Sequence, residues 1–240
     1  MGIAVAVTIV LAFGNQLVLY IHPRYVVFTV IMAVVALVFT IAAVVVRLAP
    51  DDDDADEAAP RGRFGPWFAG AAVLLSGVFA LAMIVIPPTT LTSATADQRD
   101  INSTAVGPEI QSVADADAAP AGAFASFTVR DWASLLRQTS DLSFYEGKPV
   151  DVVGFIVADQ DDPQNVFYVS RFVVTCCAVD AQPAGIPVYY PNWQNTLAVD
   201  EWVQATGEFT TNPSQRSTQS IALDPLEITP VEQPSEPYLY

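Results

Sequence analysis

Three uninterrupted apolar runs occupy the first 86 residues, and a shorter-period, β-branched pattern takes over after Phe127. The runs cover 2–21, 25–46 and 67–86, and none contains a charge. At 1.5 Å per residue each is long enough to cross a hydrocarbon core of about 30 Å. The second, "YVVFTVIMAVVALVFTIAAVVV", carries fourteen Val, Ile, Leu or Phe. Each favours insertion by roughly 0.3–0.6 kcal/mol, about 4–8 kcal/mol together. Three transmembrane helices are the expectation for residues 1–86. The first lacks a basic leader and a small-residue cleavage site, so it reads as a retained helix. Asn15 and Gln16 within it are costly against lipid and are expected to face another helix.

The polar segments between the runs set the orientation. The loop 47–65 carries Arg47, Arg61 and Arg63, whereas the turn between the first two spans carries Arg24. The positive-inside rule puts the three-arginine loop and the N-terminus in the cytoplasm and all that follows residue 86 outside it. This describes a multi-pass plasma-membrane protein with an extracytoplasmic C-terminal part. The acidic run Asp51–Glu57 in the same loop votes little on orientation and reads as a solvated loop or a weak collector of hard cations. Residues 87–126 are rich in Pro, Ala, Ser, Thr and Asp, with one aromatic. They read as a flexible tether, unable to bury enough surface to offset chain entropy.

From Phe127 the pattern is globular. In "FTVRDWASLLRQ" the residues Val129, Trp132, Leu135 and Leu136 fall at helical spacing, with Thr128 as N-cap and Asp131 three residues on. Five β-rich runs follow: 148–159, 165–177, 185–191, 200–210 and 220–232. Gly154 sits mid-run in the first, where a bulge or sharp bend is expected. The whole predicts a membrane α-helical N-terminal part joined to a mainly-β domain over 127–240. One helix before five strands fits an OB-like Greek-key barrel, and a β-sandwich fits almost as well.

Composition agrees with this split. The chain is 52% hydrophobic yet carries a net charge of −16. From Phe127 onward five Lys or Arg face fifteen Asp or Glu. Such a surface repels nucleic acid and attracts cations.

The two cysteines are adjacent, in "RFVVTCCAVDAQPAGIPV". In an extended strand Cys176 and Cys177 would point to opposite faces as small core residues. Alternatively they are a thiol-redox pair, since free thiols outside the cytoplasm tend to oxidise and a bridge between neighbours is strained. As thiolates they would instead bind Zn²⁺ or Cu(I), with Asp180 adding a carboxylate. Two or three ligands do not complete a tetrahedral site. His22, the only histidine, is expected at the external end of the first two spans, where its "HPR" reads first as a polar turn. No GxSxG, Walker or HExxH motif occurs, and no carboxylate pair stands out for acid–base work, so catalysis is not expected.

"YIHPRY", "EGKPVDVVGFI", "RFVVTCCAVDAQPAGIPV" and "DEWVQATGEF", in this order behind apolar runs, resemble the YcgQ-like family of bacterial permease subunits. The resemblance implies a membrane protein working beside a separate multi-span permease, with links to metal, especially zinc, homeostasis. It also implies that a family Cys/His–Cys–x–x–Asp element falls on Cys176, Cys177 and Asp180. Some relatives carry a histidine-rich stretch between spans two and three, where this chain has Asp51–Asp54, Asp56 and Glu57. The expected function is that of an accessory permease subunit using an extracytoplasmic barrel for ligand capture or gating. The alternative is a thiol-redox sensor or metal-binding module.

Overall fold

The computed structural model describes residues 2–48, 90–103 and 112–240, with positions 74, 75, 77, 78 and 82 between them. The expected third span, apart from those five helical positions, lies outside the described residues, as do Asp51–Glu57 and 104–111 of the expected tether. The chain divides into two compact units, Met1–Thr89 and Thr90–Tyr240.

In the first unit the expected 20-residue opening span does not form as one helix. Helix α1 covers Gly2–Phe13, only twelve residues, which reach about 18 Å at 1.5 Å per residue. It stops because Asn15 turns left-handed, at φ 54°. The Gln16 amide donates to the Leu11 carbonyl at 2.9 Å and the Asn15 amide to that of Ala12 at 3.2 Å. This is a Schellman C-terminus with asparagine in the position glycine usually takes. The polar pair thus ends a helix rather than facing another one from inside it. A 3₁₀ turn, Leu17–Leu19, leads to α2, Pro23–Leu48. Pro23 sits at the first helical position, where its missing N–H and fixed φ cost nothing. Among the described residues α2 is the one helix long and apolar enough to cross a membrane, with mean hydropathy 2.8 over its best window.

The second unit is built on five strands: β1 Val150–Ala158, β2 Val166–Val173, β3 Gln182–Tyr189, β4 Trp202–Thr211 and β5 Ile221–Pro230. They close into a mixed barrel in the order β1–β2–β3–β5–β4, antiparallel except where β3 meets β5. The sandwich alternative is thereby excluded. Strand β1 pairs with β4 over Val150–Phe155 and with β2 over Phe155–Ala158. The changeover falls at Phe155, next to Gly154, where a Cβ would lie 2.6 Å from the Ser170 carbonyl oxygen. Glycine is required there by close strand approach rather than by the expected bulge, and the register shift in the sheet falls between Thr206 and Gly207 instead.

Alternate residues fill the barrel, among them Val150, Val152, Ile156, Phe167, Val169, Ile186, Val203 and Leu223. One end is plugged by α3, Val129–Gln138, whose Trp132 meets Phe209 at 5.3 Å and Phe127 at 5.2 Å. The expected capping box is present. The Thr128 hydroxyl accepts from the Asp131 amide, and the Asp131 carboxylate accepts from the Thr128 amide at 2.8 Å.

In its described parts, the stretch expected as a flexible tether is packed on this barrel. Ala96, Ala116 and Phe124 are buried. The strap 90–103 is fastened by several polar contacts. The Leu91 amide donates to the Tyr238 hydroxyl at 3.0 Å, and the Ser93 amide and hydroxyl donate to Asp200 at 2.6 and 3.0 Å. At its far end Asn102, left-handed at φ 62°, pairs side chain to backbone with Gly185. Asn102 Nδ2 donates to the Gly185 carbonyl at 2.7 Å and Asn102 Oδ1 accepts from the Gly185 amide at 2.9 Å. The Asn102 amide also donates to the Pro183 carbonyl. Strand β3 needs this because it meets β5 only at Val188↔Leu223. Between Pro183 and Pro187, the alternation of an antiparallel ladder turns only the Gly185 N–H toward the open seam. A second fastening comes from the C-terminus. The Leu239 amide donates to the Phe172 carbonyl, and Arg171 Nε donates to the Pro237 carbonyl at 3.2 Å.

At the other end of the barrel two buried aspartates lock the β1–β2 loop to the β4–β5 loop. Asp159 accepts from the amides of Asp161 and Asp162 and from the Ser217 hydroxyl. Asp162 accepts from Ser214 Oγ at 2.6 Å and from Asn165 Nδ2 at 2.9 Å. The Ser214 hydrogen bond, helped by Asn165 and by the charge of Arg216, holds the Asp162 carboxyl below the usual range against the opposing effect of burial. A carboxyl with a depressed folded pKa stabilises the fold above its unfolded value of about 3.9, and that contribution is lost as pH falls through the folded value. Asp162→Asn in the full chain should lower barrel stability by about 1–3 kcal/mol at neutral pH. The difference from wild type should shrink below about pH 4, as read by thermal unfolding across a pH series.

Candidate thiol–carboxylate site

Strand β2 ends at Val173, before the cysteines. Cys176 and Cys177 therefore do not occupy an extended strand with opposed side chains, and the core reading of the pair fails. Cys176 is exposed and Cys177 partly so. The chain turns because Asp180 folds its carboxylate back over the loop. Asp180 Oδ2 accepts from the amides of Cys176 at 2.8 Å and Cys177 at 3.4 Å, and Oδ1 from that of Thr175 at 3.2 Å. The Asp180 amide in turn donates to the Cys177 carbonyl at 3.0 Å, at the start of the 3₁₀ turn Ala178–Asp180.

The result gathers Cys176 Sγ, Cys177 Sγ and an Asp180 carboxylate oxygen within 4.8 Å of one another. Two thiolates and one carboxylate are a donor set suited to a borderline cation such as Zn²⁺. A carboxylate has about four lone-pair sites, so three backbone donors leave Asp180 able to take a cation as well. The residues present fit a tetrahedral ion with one position open to water or a further donor. The two sulfurs are not joined in a disulfide.

His22 belongs to the first unit, where its Nδ1 accepts from the Arg24 amide at 3.2 Å and its ring meets Tyr25 edge-on. It serves there as a polar turn at the start of α2. The strap supplies a residue the sequence did not single out: Arg99 Nη2 donates to the carbonyl of Val179, inside the donor loop, at 3.2 Å. Arg171 holds the C-terminal tail, as described above. A separate cleft of about 340 Å³ opens between β5 and the segment after β3, lined by Tyr190, Leu197, Leu226 and Ile228 among others. It contains no thiol and a single carboxylate, Glu227.

Residues 126–240 match the family model described as the DUF1980 C-terminal domain. No curated protein and no solved structure matches the chain. The matched range contains the barrel, α3 and all three donors, and it leaves out the strap.

Because Asp180 holds three consecutive backbone donors, its removal should loosen the loop before anything else. In Asp180→Ala, hydrogen exchange at residues 175–177 should accelerate at least about tenfold, the loss of one or more hydrogen bonds of roughly 1.4 kcal/mol. Exchange in β1 and β2 should be unchanged. Equal exchange at 175–177 would show that the carboxylate does not organise the loop.

Proposed function

We propose that this chain is a membrane-anchored accessory subunit of a multi-span permease, whose barrel captures a divalent metal ion, by its chemistry Zn²⁺, at Cys176, Cys177 and Asp180. The observation that carries this is the convergence of three donors within 4.8 Å on a loop fixed by its own hydrogen bonds. The strand order, with β3 and β5 parallel, supports an OB-type barrel, a fold that binds ligands through its strands and the loops between them. Helix α2 supports the membrane anchor. The arginine bias around it supports a cytoplasmic N-terminus and an extracytoplasmic barrel in the plasma membrane. The short apolar α1 beside α2, and the apolar run over 67–86, support docking to a polytopic partner that supplies the transport pathway. The resemblance to YcgQ-like permease subunits points the same way.

Full chain purified in mild detergent should carry zinc by elemental analysis, and Cys176→Ser/Cys177→Ser should lose it. Equal zinc in both would end the metal reading. The exposure of Cys176 favours one rival, a thiol-redox sensor, which would then require the pair to switch between alkylatable and bridged forms in intact cells. Affinity purification of the full chain should also recover a polytopic membrane protein. A chain that emerges alone and monomeric would overturn the accessory role while leaving metal capture intact.

A further inference from the structure

The strap and the donor loop meet at one side chain. Arg99 reaches from the strap to the Val179 carbonyl, one residue from Asp180 and two from Cys177. Its other terminal nitrogen, Nη1, is buried without a hydrogen-bond partner. A buried guanidinium donor left unsatisfied is costly, and negative charge nearby offsets that cost. The donor loop offers such charge. When a divalent ion binds, the two thiol protons leave to solvent as the ion enters. Two thiolates, one carboxylate and a divalent ion then carry one net negative charge, which a single guanidinium balances. A monovalent ion such as Cu(I) on the same three donors would leave one further negative charge uncompensated.

We infer that Arg99 is a positioning and charge-balancing residue of the Cys176–Cys177–Asp180 site, and that through it the strap 90–103 docks more tightly when a divalent cation is bound. The inference rests on the metal reading above. The coupling works by order. Coordination fixes Cys176, Cys177 and Asp180, and therefore the Val179 carbonyl between them. Arg99 then meets an acceptor that no longer moves, and less entropy is lost when the strap closes. The same strap is pinned farther along by Asn102 on Gly185, five residues beyond Asp180 on β3. Linkage is reciprocal, so whatever factor zinc adds to strap docking, strap docking adds to zinc affinity. Asn102 touches none of the donors, yet weakening it must weaken zinc binding.

The test is hydrogen exchange of the full chain in detergent micelles, with and without saturating Zn²⁺, alongside zinc affinity by competition with a chromophoric chelator. In wild type, Zn²⁺ should slow exchange across 90–103 by about fivefold or more, the low end of common allosteric couplings. Arg99→Gln should still bind zinc, about fivefold or more weakly, and should lose the zinc-dependent protection. Arg99→Lys should recover most of the affinity, because it restores the charge. Asn102→Ala should lower zinc affinity by the same factor as it lowers zinc-dependent protection. Exchange over β1 and β2 reports whether each variant is folded. If wild type holds zinc but 90–103 exchanges at the same rate with and without it, or if Arg99→Gln keeps full protection, this inference is overturned and the metal site stands. If wild type holds no zinc, the metal reading and this inference fall together.

Discussion

The barrel does not close by strand pairing alone. Strands β3 and β5 meet at one register pair, Val188↔Leu223, and most of one edge of β3 is left to be satisfied by something else. Backbone groups in a buried setting must be paired, so the chain recruits segments from both its flanks. The strap supplies Asn102, whose amide side chain imitates a neighbouring strand for Gly185. The C-terminal tail does the equivalent for the end of β2 at Phe172 and Val174. What lies upstream of the barrel is therefore part of its architecture.

This arrangement explains why β2 is buried on both faces. Phe167 and Val169 point into the barrel, while Tyr168, Ser170 and Phe172 are covered from outside. Phe172 stacks on Phe155 at 5.5 Å, and Ile101 reaches the space that a Gly185 side chain would fill. The apolar run "NVFYVSRFVV" reads as continuous for that reason. It also explains where the thiols sit. β2 and β3 are joined at the end of the barrel where both flanking segments are fastened, and the donor loop is that connection.

Much of the domain was legible in the sequence. The helical spacing of Trp132 and Leu135 and the Thr128–Asp131 box announced α3, and five β-rich runs gave five strands. Gly154 marked a special position, though the reason is close strand approach and the irregularity lies at Thr206–Gly207. The closure was harder to see, because it rests on a few polar contacts at Asn102, Ser93 and Leu91 and on small buried residues such as Ala96, which composition averages away. The same averaging hid the N-terminal break. Gly14–Asn15 is a helix-stop signal, but it is embedded in apolar residues that dominate any hydropathy window. At the site, the pairing of Asp180 with the cysteines was legible from proximity in sequence. Arg99 was not, since it lies 80 residues from its Val179 acceptor and belongs to a segment that looked unstructured.

The Pro183–Gly185–Pro187 spacing has a bearing on what happens when the strap lifts. An uncovered strand edge ordinarily invites another chain to add itself, with aggregation as the outcome. Here two of the three seam-facing positions have no N–H to offer, and proline on an edge is a poor template for any incoming strand. An opening at this side would therefore expose a single donor and offer little foothold for self-association.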